Sequence, residues 1–219
     1  VIDEVHTYRG IFGSHFCNLL RRLERVCSFY GSNPKFILCS ATIANPKDHA
    51  EALTGRSMFL VNESGAPSGE KNFIIYNPPV VNENLGIRQS SVKLSAELAS
   101  TFIRNKITTI VFSKSRIRAE IITNYIKEKT HARLAAYRGG YLPGERRDIE
   151  RKMRSGELDG IVSTNALELG IDIGSLDAVI SVGYPGSVSS LLQQFGRAGR
   201  RNSSSISLLV ANSSALDQY

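Results

Sequence analysis

The chain has 219 residues, of which 42% are hydrophobic and 21% charged, a composition that suits one large or two modest hydrophobic cores. No apolar run approaches the roughly 18 residues of a membrane span, and the first residues lack the basic-then-apolar pattern of a signal peptide. No membrane partner is expected, and a cytoplasmic protein is, nucleoid-associated if bacterial. Lys and Arg outnumber Asp and Glu by 27 to 20, a formal net charge of +7. Such an excess biases a surface toward polyanions, although a solvated basic surface is its commoner meaning.

Val1-Ile2-Asp3-Glu4 reads as the end of an apolar strand running straight into two carboxylates. With no cap or turn ahead of it, and with the abrupt Leu216-Asp217-Gln218-Tyr219 end, it suggests a piece of a longer polypeptide. After Gly13, the residues Phe16, Leu19, Leu20, Leu23 and Val26 fall at helical spacing with Arg21, Arg22, Glu24 and Arg25 opposite, and Gly31 follows as a stop. Phe36–Cys39 suits a buried parallel strand, and Asn45-Pro46 opens a helix that Gly55 ends.

Between Phe59 and Ser90 the periodicity fades while Gly and Pro accumulate, with one strand at Phe73–Tyr76. This stretch reads as a connector, and the expected division is 1–60, a linker at 61–90, and 91–219. Beyond it, a helix near Val92–Ile103, a strand Thr109–Phe112, a helix carrying Ile117, Ile121, Ile122 and Tyr125, and a strand Arg133–Tyr137 alternate. A helix from Pro143, strands at Gly160–Ser163 and Ala178–Val182, a helix around Ser187–Phe195 and a strand Ser205–Val210 complete the pattern. The predicted fold class is α/β, parallel sheets with helices on both faces, and ligands in such folds sit at the carboxyl ends of the strands.

Four elements carry chemistry. In Asp3-Glu4-Val5-His6, a strand ending in adjacent carboxylates can hold Mg²⁺ through one and orient a water through the other, the Walker B arrangement; an acidic pair capping a turn is the bland alternative. Ser40-Ala41-Thr42 offers hydroxyls to that segment if the two strands are neighbours. Ser163-Thr164-Asn165, followed by Glu168-Leu169-Gly170-Ile171-Asp172, could aim donors at a phosphodiester backbone or form a plain strand-to-helix turn. Gln193-Gln194-Phe195-Gly196-Arg197-Ala198-Gly199-Arg200 places two guanidinium groups three apart, suited to charge on a transferring phosphoryl group or to a general polyanion patch.

Together the four resemble motifs II, III, V and VI of the superfamily-two DExH-box helicases. Asp3-Glu4-Val5-His6-Thr7-Tyr8-Arg9-Gly10, Tyr137-Arg138-Gly139-Gly140-Tyr141-Leu142-Pro143 and Gly183-Tyr184-Pro185-Gly186 extend the resemblance to the bacterial MrfA/YprA-type DNA-repair helicases and their fungal RecQ-like relatives, over essentially the whole chain. The resemblance implies the C-terminal part of one RecA-like domain followed by a second, with ATP and Mg²⁺ as cofactors. Asp3 would hold Mg²⁺ through water, Glu4 would be the general base, and His6, Ser40, Thr42 and Gln193 would couple the nucleotide to strand movement. Gly170 and Asp172 would face the nucleotide, with Arg197 and Arg200 as arginine fingers. Ser113, Lys114, Arg138, Gly139 and Thr164 would contact backbone phosphates. The implied partners are single-stranded DNA or a DNA duplex with a single-stranded tail, together with the remainder of the same polypeptide, its phosphate-loop part and a C-terminal region.

One departure bears on activity: no G-x-x-x-x-G-K-[ST] phosphate loop occurs, so these residues alone are expected neither to hydrolyse ATP nor to unwind. A Ski2-like RNA helicase shares every motif named, and a non-catalytic nucleic-acid-binding module is the alternative of another class. Cys17, Cys27 and Cys39, ten and twelve residues apart, fit neither a metal pair nor a disulfide framework and read as reduced, buried thiols. His15 and His131 read as surface or satisfied histidines, and His49, beside Lys47 and Asp48 on a helix, reads as solvated. Tyr8, Tyr137, Tyr141 and Tyr184 could stack on bases or pack within their domain.

Overall fold

The computed structural model describes every residue except 41–42, 64, 66–68, 169–172, 175, 200–203 and 219. The chain divides into two compact units, Val1–Gly65 and Ala66–Tyr219.

In the first unit, α1 (Gly10–Phe29) and α2 (Pro46–Thr54) pack beside a parallel bridge between Ile2 and Leu38. The two predicted strands therefore shrink to one bridge. It is closed by Ile2 N–H to Ile37 O (2.8 Å), Cys39 N–H to Ile2 O (2.9 Å) and Val5 N–H to Cys39 O (3.0 Å). The core gathers Ile2, Val5, Leu20 and Leu53, with Tyr8, Phe16, Cys17, Phe36 and Leu38 packed against it. The packed stripe of α1 is thus narrower than its apolar periodicity predicts: Leu19, Leu23 and Val26 stay exposed, and no described residue covers them. The cysteines are also less buried than expected, with Cys39 exposed and Cys17 and Cys27 half-buried.

The second unit holds a six-stranded sheet paired in parallel throughout, in the order β1-β8-β7-β4-β6-β5. Its strands are β1 (Lys71–Tyr76), β4 (Thr109–Ser113), β5 (Leu134–Tyr137), β6 (Gly160–Ser163), β7 (Ala178–Val182) and β8 (Ser205–Val210); β2 (Val80–Asn82) and β3 (Ile87–Arg88) form a separate small hairpin. The helices are α3 (Ser91–Arg104), α4 (Arg116–Lys129), α5 (Pro143–Arg154), α6 (Val188–Phe195) and the short α7 (Ala215–Gln218). Successive strand residues point to opposite faces. Val111, Val162, Ile180 and Val210 accordingly pack with Leu94 and Ala99 of α3 and Ile122 and Ile126 of α4. Ile110, Phe112, Ile161 and Val179 pack with Met153 of α5 and Phe195 of α6 on the other face.

The predicted linker is corrected by this topology. Lys71–Tyr76 pairs along its whole length with Ser205–Val210, so residues 71–76 belong to the second unit's sheet. As an edge strand it is exposed throughout, and without a buried face its sequence carries no core alternation to assign it to the second unit's sheet.

At the opposite edge of the sheet Arg133 and Asp159 bracket the starts of β5 and β6, with Arg133 Nη2 donating to Asp159 Oδ1 (2.7 Å) and Arg133 N–H to Asp159 Oδ2 (2.8 Å). The Arg133 side chain holds the Asp159 carboxyl below the ordinary carboxylate range. A depressed carboxylate stabilises the fold above its unfolded pKa and loses that effect as pH falls through the folded one. Asp159→Asn is therefore expected to lower the melting temperature near neutral pH, by up to about 1 kcal/mol of stability for so open a pair. The difference from wild type should shrink as pH falls below the ordinary carboxylate range, which parallel melts across the acid range would check.

Candidate nucleotide and strand-binding sites

In the first unit, the parallel bridge sends the chain out at Asp3 and Glu4 beside Cys39 and Ser40. Glu4 sits at φ 50°, ψ 46°, a left-handed conformation that costs a residue with a side chain on the order of 1 kcal/mol or more and clusters at functional sites. It is held there on both sides. Glu4 N–H donates to Asp3 Oδ1 (2.9 Å), and the Glu4 carbonyl accepts from Thr7 Oγ1 (2.8 Å) and Thr7 N–H (2.9 Å), closing the 3₁₀ turn Val5–Thr7.

His6 is turned inward, its side chain 9% exposed against 35% for Glu4. Its Nδ1 lies 3.4 Å from Glu4 Oε2 and 3.3 Å from Ser40 Oγ, so carboxylate, imidazole and hydroxyl meet at one nitrogen. Thr42, expected beside them, lies outside the described residues.

Two further residues shape this turn, and sequence reasoning missed both. His49 of α2, read from its charged neighbours as solvated, is half-buried with Nε2 3.0 Å from the Val5 carbonyl. Gly13 lets α1 close over the turn, because a Cβ there would meet Tyr8 O at 2.5 Å. The Tyr8 ring stacks on Phe16 (4.0 Å) and Phe12 (5.3 Å), which favours packing for that tyrosine.

In the second unit, the expected strand contacts gather at the carboxyl ends of β4, β5 and β6. Lys114 and Gly139 are exposed, Arg138 is half-buried, and Ser113 and Thr164 are buried. Arg138 faces Glu120 at 3.6 Å and lies over the Tyr141 ring at 4.9 Å. Arg116, absent from the expected set, stands near this group at the start of α4, where a Cβ added at Gly140 would meet its guanidinium at 3.7 Å. Tyr137 belongs to the core instead. It is 1% exposed, donates to Glu150 Oε1 (2.7 Å), and has its phenol pushed up to about 12 by burial and by that carboxylate.

Arg197 is 6% exposed, and its Nε donates to the Glu168 carbonyl at 3.2 Å with Nη2 donating to the same oxygen. The guanidinium expected to project as a finger is thus folded into its own unit. Gln193 lies half-buried on α6. Glu168, quoted in the sequence only as part of a loop, accepts through Oε1 from Gln194 Nε2 (3.0 Å) and from Ser190 Oγ. Burial pushes its carboxyl above the ordinary range, opposed by the Gln194 hydrogen bond and the Arg197 charge. Gly170, Asp172 and Arg200 lie outside the described residues.

Ser113, Lys114, Asn165, Glu168, Ser190 and Gln194 line one polar pocket of about 160 Å³ at the ends of β4, β6 and β7. Among the described residues no cluster of three His, Cys, Asp or Glu side chains could bind a metal by itself. Asp3 and Glu4 fit Mg²⁺ only in the way that ion is commonly held beside nucleotides, through one or two carboxylates with phosphates and water completing the shell.

A parallel sheet with helices on both faces, carrying basic and hydroxyl groups at its strand ends and a glycine-flanked arginine after α6, is a RecA-like helicase C-terminal domain. The model of the helicase conserved C-terminal domain family matches residues 93–202, and the chain belongs to that family. It is 57% identical over 224 residues to the ATP-dependent helicase YprA of Bacillus subtilis, covering 100% of this chain and 30% of that protein. It is 41% identical to the ATP-dependent helicase Hrq1 of Schizosaccharomyces pombe, covering 100% of this chain and 22% of that one. The DUF1998 helicase MrfA bound to DNA superposes with a TM-score of 0.94 at 57% identity, over 100% of this chain and 30% of its own. The chain thus spans under a third of the length of these relatives.

Proposed function

We propose that this chain works, within a polypeptide as long as its relatives, as the part of an ATP-dependent DExH-box DNA helicase that couples ATP hydrolysis to movement along a strand, in DNA repair in the cytoplasm or nucleoid. In this reading residues 1–60 complete an ATP-binding RecA-like domain and residues 91–219 form the core of the second. The observation that carries it is the meeting of Glu4, His6 and Ser40 at one nitrogen, in a chain so similar along its whole length to a named helicase.

Glu4, partly open to solvent and held by its turn, is the general base for the attacking water. Asp3 would hold Mg²⁺ through water, and the ion would supply charge neutralisation on the phosphates. His6 passes the state of Glu4 to the strand end at Ser40, with Thr42 and Gln193 in the same coupling role. Gly170 and Asp172 face the nucleotide, and Arg197 and Arg200 stabilise the transferring phosphoryl group. Ser113, Lys114, Arg138, Gly139 and Thr164 contact backbone phosphates.

MrfA is described bound to DNA and AMPPNP, and the helicase Lhr of Mycobacterium smegmatis, 30% identical to this chain, bound to single-stranded DNA and AMP-PNP. The first favours DNA as the partner here, and the second favours single-stranded DNA or a tailed duplex. Phosphate contacts make binding insensitive to sequence and sensitive to salt.

Unwinding of a labelled tailed DNA duplex by the longer polypeptide, with a tailed RNA duplex in parallel, tests this function. ATP-dependent unwinding of DNA is expected; unwinding of RNA alone would move the protein to the Ski2-like class. Lys114→Ala should weaken single-stranded DNA binding alike for all sequences and reduce the slope of log affinity against log salt by about one. Anisotropy titrations over a range of salt concentrations measure both.

A further inference from the structure

We propose that Glu168 is a positioning residue that links the strand-end pocket of Ser113 and Lys114 to Arg197. The inference rests on the helicase reading above and adds to it a residue with no part in the expected catalytic or binding set.

The geometry begins with one residue holding two things. The Glu168 carboxylate accepts from Ser190 and Gln194, which lie four apart on one face of α6, while its main-chain carbonyl accepts from Arg197 just beyond the end of that helix. An eight-residue helix cannot hold its own conformation in water and takes its position from tertiary contacts. Two of the polar ones meet at the Glu168 carboxylate. The backbone past α6 is pinned as well, with Gly199 N–H donating to Leu176 O at 3.1 Å. Two nitrogens of the Arg197 guanidinium thus rest on the Glu168 carbonyl.

The other side of Glu168 faces the pocket it shares with Ser113, Lys114 and Asn165. Two buried polar atoms of that pocket, Ser113 Oγ and Gln194 Oε1, have no hydrogen-bond partner among the described residues, so its walls hold unused hydrogen-bonding capacity. A phosphate drawn to Lys114 can accept from Ser113 Oγ and crowd the Glu168 side chain that shares the pocket. Any resulting shift of that side chain moves the backbone carbonyl on which Arg197 rests. One carboxylate thus carries occupancy of the strand-binding pocket to the arginine, without touching nucleotide itself.

The test compares Glu168→Ala and Glu168→Gln in the longer polypeptide, reading ATP hydrolysis with and without saturating single-stranded oligothymidine, the KM for ATP, the affinity for the same oligonucleotide, and the melting temperature. Glu168→Ala should lower the stimulation factor about tenfold or more, the scale of loss from a displaced catalytic group, while KM and DNA affinity stay within about twofold. Glu168→Gln should recover most of the stimulation. Its amide oxygen can still accept from Ser190, and its NH₂ can donate to the unused Gln194 Oε1.

Full stimulation in Glu168→Ala would overturn the inference and leave the helicase reading intact. Equal losses in Ala and Gln with a lowered melting temperature would reduce Glu168 to a structural residue, and a loss confined to DNA affinity would make it a strand-binding one; either overturns the link. A wild-type protein with no DNA-stimulated hydrolysis would instead strike the helicase reading on which the link depends.

Discussion

Glu4→Gln in the longer polypeptide is expected to bind ATP within about twofold of wild type and to lose at least about two orders of magnitude in turnover, the usual contribution of a general base. The amide keeps the shape of the side chain and cannot take the proton. The turn should survive, because its hydrogen bonds come from Glu4 main-chain atoms, Thr7 donating to the carbonyl and Glu4 N–H to Asp3. Loss of the carboxylate also removes the negative group 3.4 Å from His6 Nδ1, while Ser40 Oγ stays 3.3 Å from it. Nucleotide binding by a fluorescent analogue and single-turnover hydrolysis separate the two effects. Turnover at the wild-type rate would remove Glu4 from the base role.

Arg197→Ala is expected to lower turnover by about three orders of magnitude or more, the range measured for arginines that stabilise a transferring phosphoryl group. Arg197→Lys should restore little, since an ammonium keeps the charge and loses the planar fork. The fold adds a second expectation. Arg197 is buried and satisfies the Glu168 carbonyl, so the alanine variant leaves that acceptor unpartnered and should also melt lower, by about 1–3 kcal/mol of stability. A variant with that melting loss and wild-type turnover would show Arg197 to be structural only.

The second unit was the more legible in sequence. Its central strands are short apolar runs buried on both faces, and each was predicted within a residue or so of its observed bounds: Thr109–Ser113 against 109–112, Gly160–Ser163 and Ala178–Val182 as predicted. The strand Lys71–Tyr76 was legible, but its membership of the sheet was not, because pairing 134 residues on with Ser205 leaves no local trace at an edge open to solvent. In the first unit, the periodicity of α1 marked the helix and overstated its packed face, since apolar spacing says which residues share a side and not what lies against them.

The candidate site divides along the same line. Asp3, Glu4 and His6 are adjacent in sequence, and their chemistry can be seen there. The approach of Ser40 to His6 needs two strands to be neighbours, a condition the sequence could state and not test. His49 and Glu168 were harder, one reaching a backbone carbonyl 44 residues away and the other a helix 22 to 26 residues on. Both contacts are made by folding alone. A polar residue buried against a backbone carbonyl has no sequence signature that separates it from a solvated one.

The central claim is that these residues serve a nucleic-acid-driven ATPase. Steady-state Mg²⁺-ATP hydrolysis by the longer polypeptide, at one fixed salt concentration, with no nucleic acid, single-stranded DNA, duplex DNA and RNA in turn, tests it most directly. Slow hydrolysis alone and strong stimulation by single-stranded DNA are expected. Absence of hydrolysis under every condition would contradict that claim and leave a nucleic-acid-binding module that has kept the motifs without their chemistry.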